Sequence, residues 1–140
     1  MTQTRRQFVG NGLAVAAAFF GLPHIASAAT LEEAIAAFTS GSDAGADGIT
    51  LIAPEIAENG NTVPIEVSAP GAAAIMLLAA RNPSPDVCTF EFGPAAGSQM
   101  VSTRIRLAGE QEVIAIARMA DGSFKQARQN VRVTIGGCGG

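Results

Sequence analysis

From Ile49 to Ile135 the chain is a succession of short β-like runs, each closed by glycine, proline or asparagine, at spacings of roughly 8 to 12 residues. That punctuation leaves no room for long helices and demands an architecture of many short strands. The runs are Ile49–Ala53, Thr62–Ser68, Ala74–Ala80, Val87–Phe92, Val101–Leu107, Val113–Met119 and a last one from Phe124 to Ile135, which is read with a break left open. In the fifth, Val101, Thr103, Ile105 and Leu107 alternate with Ser102, Arg104 and Arg106, so one face is expected buried and the other wet. Asp121-Gly122, between two runs, is a hairpin signal. About seven strands in such a length favour an all-β, immunoglobulin-like β-sandwich, with a closed barrel left open by the pattern.

Two stretches depart from this rhythm. Ala74-Ile75-Met76-Leu77-Leu78-Ala79-Ala80 is apolar without alternation, as expected of a central strand covered on both faces or of a partner interface; the buried strand is the preferred reading. Upstream, Thr30-Leu31-Glu32-Glu33 fits a capping box, and Leu31, Ile35 and Phe38 then share one helical face. A short N-terminal helix to about Phe38 is expected to lie on the sandwich, followed by a loop from Thr39 to Gly48.

The first 28 residues carry export features. Arg5-Arg6 is followed, after Gln7, by Phe8-Val9, then by a moderately apolar stretch and the small-x-small sequence Ala26-Ser27-Ala28. This is the pattern of a twin-arginine signal peptide over residues 1–28. Gly10, Asn11, Gly12, Gly21 and Pro23 break the run, which is too short for a stable membrane anchor. Cleavage after Ala28 leaves 112 residues (140 − 28), divided into a domain at 29–135 and a C-terminal arm at 136–140. His24, the only histidine, leaves with the signal. The remainder holds seven basic residues (9 − 2) against twelve acidic ones, a net charge of −5, which is no footprint for nucleic acid or anionic lipid.

With no histidine, tryptophan or tyrosine after residue 28, most general bases and metal ligands are missing, and two cysteines make a poor zinc site. The carboxylate pairs Glu55/Glu58 and Glu110/Glu112 fit a solvated surface better than paired acid–base work. No autonomous enzyme and no metal site are expected. Alternation puts Cys88 on a face with Phe90 and Phe92, where it is either a small buried hydrophobe or one half of a disulfide to another subunit.

Cys138 stands apart, in Gly136-Gly137-Cys138-Gly139-Gly140 directly after Val131-Arg132-Val133-Thr134-Ile135. Four glycines give a permissive, flexible arm with only backbone around one sulfur, a form suited to a narrow partner pocket. The terminal carboxylate two residues on disfavours a thiolate, and no histidine opposes it. The thiol is therefore read as quiescent until a positively charged partner pocket activates it.

The terminal pentapeptide, the paired Arg5-Arg6, the short helix and the β-rich domain together resemble the SoxY family, sulfur carriers of the periplasmic thiosulfate-oxidising Sox system. The resemblance implies an immunoglobulin-like domain paired as a heterodimer with a signal-less SoxZ-like subunit. It implies no cofactor other than sulfur intermediates held covalently on Cys138, with Gly136, Gly137, Gly139 and Gly140 as the carrier arm. A c-type cytochrome enzyme would load thiosulfate, a hydrolase would release sulfate, and in systems having it a sulfane dehydrogenase would oxidise the remaining sulfur. Two other functions fit parts of the sequence. Gly139-Gly140 satisfies the ending of a thiocarboxylate carrier, although adenylation there needs ATP, which a periplasm lacks; a binding module tethered through Cys138 is the other.

Overall fold

In the computed structural model, which describes residues 29–134, the expected capping box begins the helix α1 (Leu31–Thr39). Glu33 N donates to Thr30 Oγ1 at 3.3 Å and Thr30 N donates to Glu33 Oε2 at 2.8 Å, so two otherwise orphaned amides are satisfied reciprocally. The helix stops where Ser40 turns left-handed (φ 53°) and Gly41 N donates back to Ala36 O at 3.2 Å.

Nine strands follow: β1 (Ala44–Gly45), β2 (Thr50–Ile52), β3 (Ile56–Ala57), β4 (Val63–Ser68), β5 (Ala72–Ala79), β6 (Asp86–Glu91), β7 (Met100–Ile105), β8 (Gln111–Met119) and β9 (Phe124–Val133). Seven of them fall on the seven expected runs, and β9 is continuous. The other two correct the sequence reading. β1 lies inside the segment expected to be a loop, and β3 has no counterpart in the expected strands; each is two residues long and exists by pairing in parallel with β9.

Six strands form one sheet in the order β1-β9-β8-β5-β6, with β3 also on β9, and three form another in the order β2-β4-β7. The chain changes sheet at every connection from β1 to β5, and again between β6 and β7 and between β7 and β8, which interlocks the layers as an immunoglobulin-like β-sandwich. Asp121-Gly122 forms the expected turn between β8 and β9. Gly122 takes φ 86°, Met119 N donates to Ser123 O at 2.8 Å, and Asp121 Oδ1 accepts from Ser123 N and Oγ. Those two bonds hold the Asp121 carboxyl below its ordinary pKa.

The core lies between the sheets: Ile75, Leu77, Val113, Ala115, Ala117 and Val131 of the larger sheet meet Val63, Ile65, Val67, Ile105 and Leu107 from the other layer. β5 is the doubly covered strand that its unbroken apolar run implies. Its other face, Met76 and Leu78, joins Ile114 and Ile116 of β8 under Ala34, Leu31, Ile35 and Phe38 of α1. Phe38 meets Phe124 edge-on with ring centroids 6.0 Å apart, and the Arg118 guanidinium sits 5.8 Å from the Phe38 centroid. Among the described residues no helix covers the smaller sheet, and Ile52 (57% exposed) and Met100 (53%) face outward from it. Among the described residues, no helix is long and apolar enough to cross a membrane.

Candidate functional site

The described chain ends at Thr134, so its last residues are the root of the segment that carries Cys138. Along β9 the side chains alternate, and Val131 points into the core opposite Gln111, the first residue of β8. Past that point β8 offers no partner. Arg132 and Val133 pair instead with Ile56 and Ala57. Arg132 N donates to Glu55 O at 2.9 Å and Thr134 N to Ala57 O at 3.0 Å, so the backbone is held three residues farther than the hairpin alone would hold it.

Gly60 makes this strap fit. Leu107 N donates to Gly60 O at 2.7 Å, and a Cβ on Gly60 would lie 2.7 Å from Leu107 O and 2.9 Å from Val133 Cγ1. Only a residue without a Cβ lets the two segments close beneath Val133. The neighbouring connections are tied by an amide network centred on one buried glutamine. Gln111, 2% exposed, donates through Nε2 to Asn82 Oδ1 at 2.9 Å and to Gly109 O at 3.2 Å, and its Oε1 accepts from Arg81 N at 2.9 Å. Asn82 in turn donates to Arg106 O and accepts from Ala108 N. With its polar atoms satisfied, this network joins the turn after β5 to the connection between β7 and β8, at the end of the sandwich where β9 runs out. Shallow hollows flank that end, one lined by Glu55, Ile56, Gln129, Asn130 and Arg132, the other by Asn82, Pro83, Ser84, Arg106 and Ala108.

Cys88 lies across β5 from this network. It lies on β6, an edge strand, where it pairs with Leu77 of β5 and packs partly buried against the core with Phe90 and Phe92, on the face that alternation indicates. A shift of register beside it, where Leu78 pairs with Asp86, leaves Val87 without a partner of its own. Burial pushes the Cys88 thiol above its ordinary pKa, which favours the unreactive protonated form. Of the carboxylate pairs, Glu112 bonds Arg128 at 2.9 Å on the surface. No cluster of three or more histidine, cysteine, aspartate or glutamate side chains occurs among the described residues. Arg5, Arg6 and His24 lie outside the described residues, as do Gly136, Gly137, Cys138, Gly139 and Gly140.

Of these residues the sequence reading singles out only Glu55, as a surface carboxylate; the strap pairing, Gly60 and the Asn82–Gln111 network are not read from the sequence. Pro54 and Asn59-Gly60 mark turns on either side of Ile56–Ala57, but two residues are too few for a periodicity to show.

Comparison with known proteins bears on this end of the molecule. The model of the family described as sulfur oxidation protein SoxY matches residues 35–138, from within α1 to Cys138 itself. No curated protein matches the chain. Among solved structures, the sulfur carrier protein SoxY from Chlorobium limicola f thiosulfatophilum is 36% identical, with a TM-score of 0.64 over 76% of this chain and 97% of that one. A superoxide reductase (neelaredoxin) from Ignicoccus hospitalis is 18% identical, with a TM-score of 0.55 over 61% of this chain and 80% of that one, and shares the fold alone. With the family match running from the helix through to the terminal cysteine, and a sulfur carrier sharing the fold at 36% identity, the chain belongs to the SoxY family of sulfur oxidation proteins.

Proposed function

We propose that this protein is a periplasmic sulfur carrier that holds the intermediates of thiosulfate oxidation covalently on Cys138 and presents them to separate enzymes. The observation that carries the reading is the family match extending through Cys138. In the first step the Cys138 thiol loses its proton and its sulfur joins the outer sulfur of thiosulfate. The two electrons released pass to a c-type cytochrome enzyme. Water then attacks the terminal sulfonate in a hydrolase, the S–S bond to it breaks, and sulfate and a proton leave a persulfide on Cys138. A sulfane dehydrogenase, where one operates, oxidises that outer sulfur with oxygen from three waters and removal of six electrons. A second hydrolysis returns the free thiol.

The chain's own contribution is to carry and present. Glycine on both sides of Cys138 keeps β-carbons away from the sulfur, which suits entry into several different active sites. The export pattern at Arg5-Arg6 supports periplasmic work and a signal-less partner subunit of SoxZ type carried across with it. We read Cys88 as a packing thiol rather than a link to that subunit, because it shares the core with Leu77 and Phe90. A thiocarboxylate carrier of β-grasp type is disfavoured by the two-sheet sandwich.

Replacing Cys138 by serine is expected to abolish thiosulfate oxidation by the reconstituted enzymes while leaving folding and subunit association unchanged. Mass spectrometry of the wild-type protein after exposure to thiosulfate and the loading enzyme is expected to place the added mass on the peptide containing Cys138. Turnover by the serine variant would overturn the carrier reading.

A further inference from the structure

The end of β9 is held by the Glu55–Ala57 backbone rather than by the β8 ladder that holds the rest of the strand. Val131 is the last residue of β9 paired with β8. Arg132, Val133 and Thr134 are kept in line by the Glu55–Ala57 backbone, which accepts from the Arg132 and Thr134 amides, and by the space left over Gly60 for Val133. β3 has no other recorded strand partner among the described residues, and Ile56 between its two accepting carbonyls is 56% exposed. Of its two side chains only that of Ala57 is buried in the core, so the strand adds one small residue there. Its evident product is the position at which the chain leaves the fold.

We propose that the Glu55–Ala57 strap, seated over Gly60, is a positioning device that sets the root of the carrier arm, with Thr134 as its last anchored residue. This rests on the carrier reading for its purpose, not for its test. From Thr134, four residues reach Cys138, an extended span of about 13 to 14 Å; from Val131, seven residues span about 23 to 25 Å. The strap thus nearly halves the radius within which the sulfur can be found. Releasing the strap lengthens that reach and removes the directional bias that a fixed exit gives.

Thr134→Pro isolates this device. Proline deletes the amide that donates to Ala57 O, and Val133, already extended in β9, has the conformation that a residue before proline prefers. Thr134→Val keeps the amide and removes only the hydroxyl, whose 3.4 Å approach to Ala57 O is a weak contact. On the full-length exported chain carrying Cys88→Ala, spin labels are placed on Cys138 and on Ser102→Cys, and amide exchange is followed at Arg132 in parallel. The Pro variant is expected to broaden the label distance distribution toward longer values and to speed Arg132 exchange at least tenfold, while the Val variant matches the parent. An unchanged distance distribution in the Pro variant, whether or not Arg132 exchange quickens, would overturn the proposal. Neither readout needs turnover, so the strap can fail while loss of activity in Cys138→Ser still supports the carrier reading, and the reverse holds.

Discussion

The β5–β8 pair and the last three described residues, at and just past the end of β9, are held by different physics. Ile75, Leu77, Val113, Ala115 and Ala117 face one buried layer while Met76, Leu78, Ile114 and Ile116 face another, so each strand is enclosed above, below and along its edges. Arg132 to Thr134 have one strap on one edge, solvent around Arg132, and a single close-packed spot at Gly60 and Val133. The scaffold end is therefore stabilised by apolar area and the arm root by two backbone hydrogen bonds and one steric fit.

If that contrast is right, the largest loss of stability comes from the doubly covered pair. Leu77→Ala is expected to destabilise the fold by about 2 to 5 kcal/mol, since a fully buried leucine in a packed layer leaves a cavity that neighbours only partly fill. Denaturant melting reads the loss directly. A cost under about 1 kcal/mol would mean that the layer around Leu77 collapses freely, and the contrast would break.

Gly60→Ala probes the other region. The new Cβ would meet a backbone carbonyl at 2.7 Å and the Val133 side chain at 2.9 Å, and the carbonyl cannot simply swing away. Overpacking of this kind costs about 1 to 3 kcal/mol where it must be absorbed by packed backbone. Here the absorbing element is the strap, so exchange protection at the Arg132 and Thr134 amides is expected to drop more than protection in β5 or β8. Uniform loss across both regions would show that the arm root and the scaffold open as one unit.

What the sequence discloses follows the same division. In β7, Val101 and Ile105 are buried and Ser102 and Arg104 exposed, as period-two alternation requires, because the strand has one wet face. The unbroken run of β5 announces two dry faces, and the Leu31, Ile35, Phe38 stripe supplies the cover for one of them. β1 and β3 were illegible because a two-residue strand has no period; it forms only when β9 presents free amides and carbonyls beside it. Gln111 was illegible for a different reason. A glutamine at a strand start suggests a wet position, yet Asn82 and the Arg81 amide let it be buried with its hydrogen bonds complete. Of the candidate site, Cys138 was plain from its glycine frame, whereas the anchor of the arm depends on Glu55, Ala57, Gly60 and Leu107, which only the fold brings to β9.

The smallest effect concerns the thiol that the scaffold keeps for itself. Cys88 has its pKa raised by burial, so the folded state holds the proton more tightly than the unfolded chain does. The sign follows directly. Below the ordinary thiol range both states are protonated and the contribution is fully present. As pH rises from that range through the higher folded value, the unfolded chain ionises first and the contribution is lost. In a Cys138→Ser background, alkylation of Cys88 is therefore expected to accelerate only at a pH above that at which the same chain in urea becomes half reactive. Changing Cys88 to alanine as well should flatten the alkaline decline in stability slightly. Coincident alkylation profiles in the folded and urea-unfolded chains would mean that the β6 edge leaves this sulfur to solvent, and that the sandwich encloses its edge strand less well than its central pair.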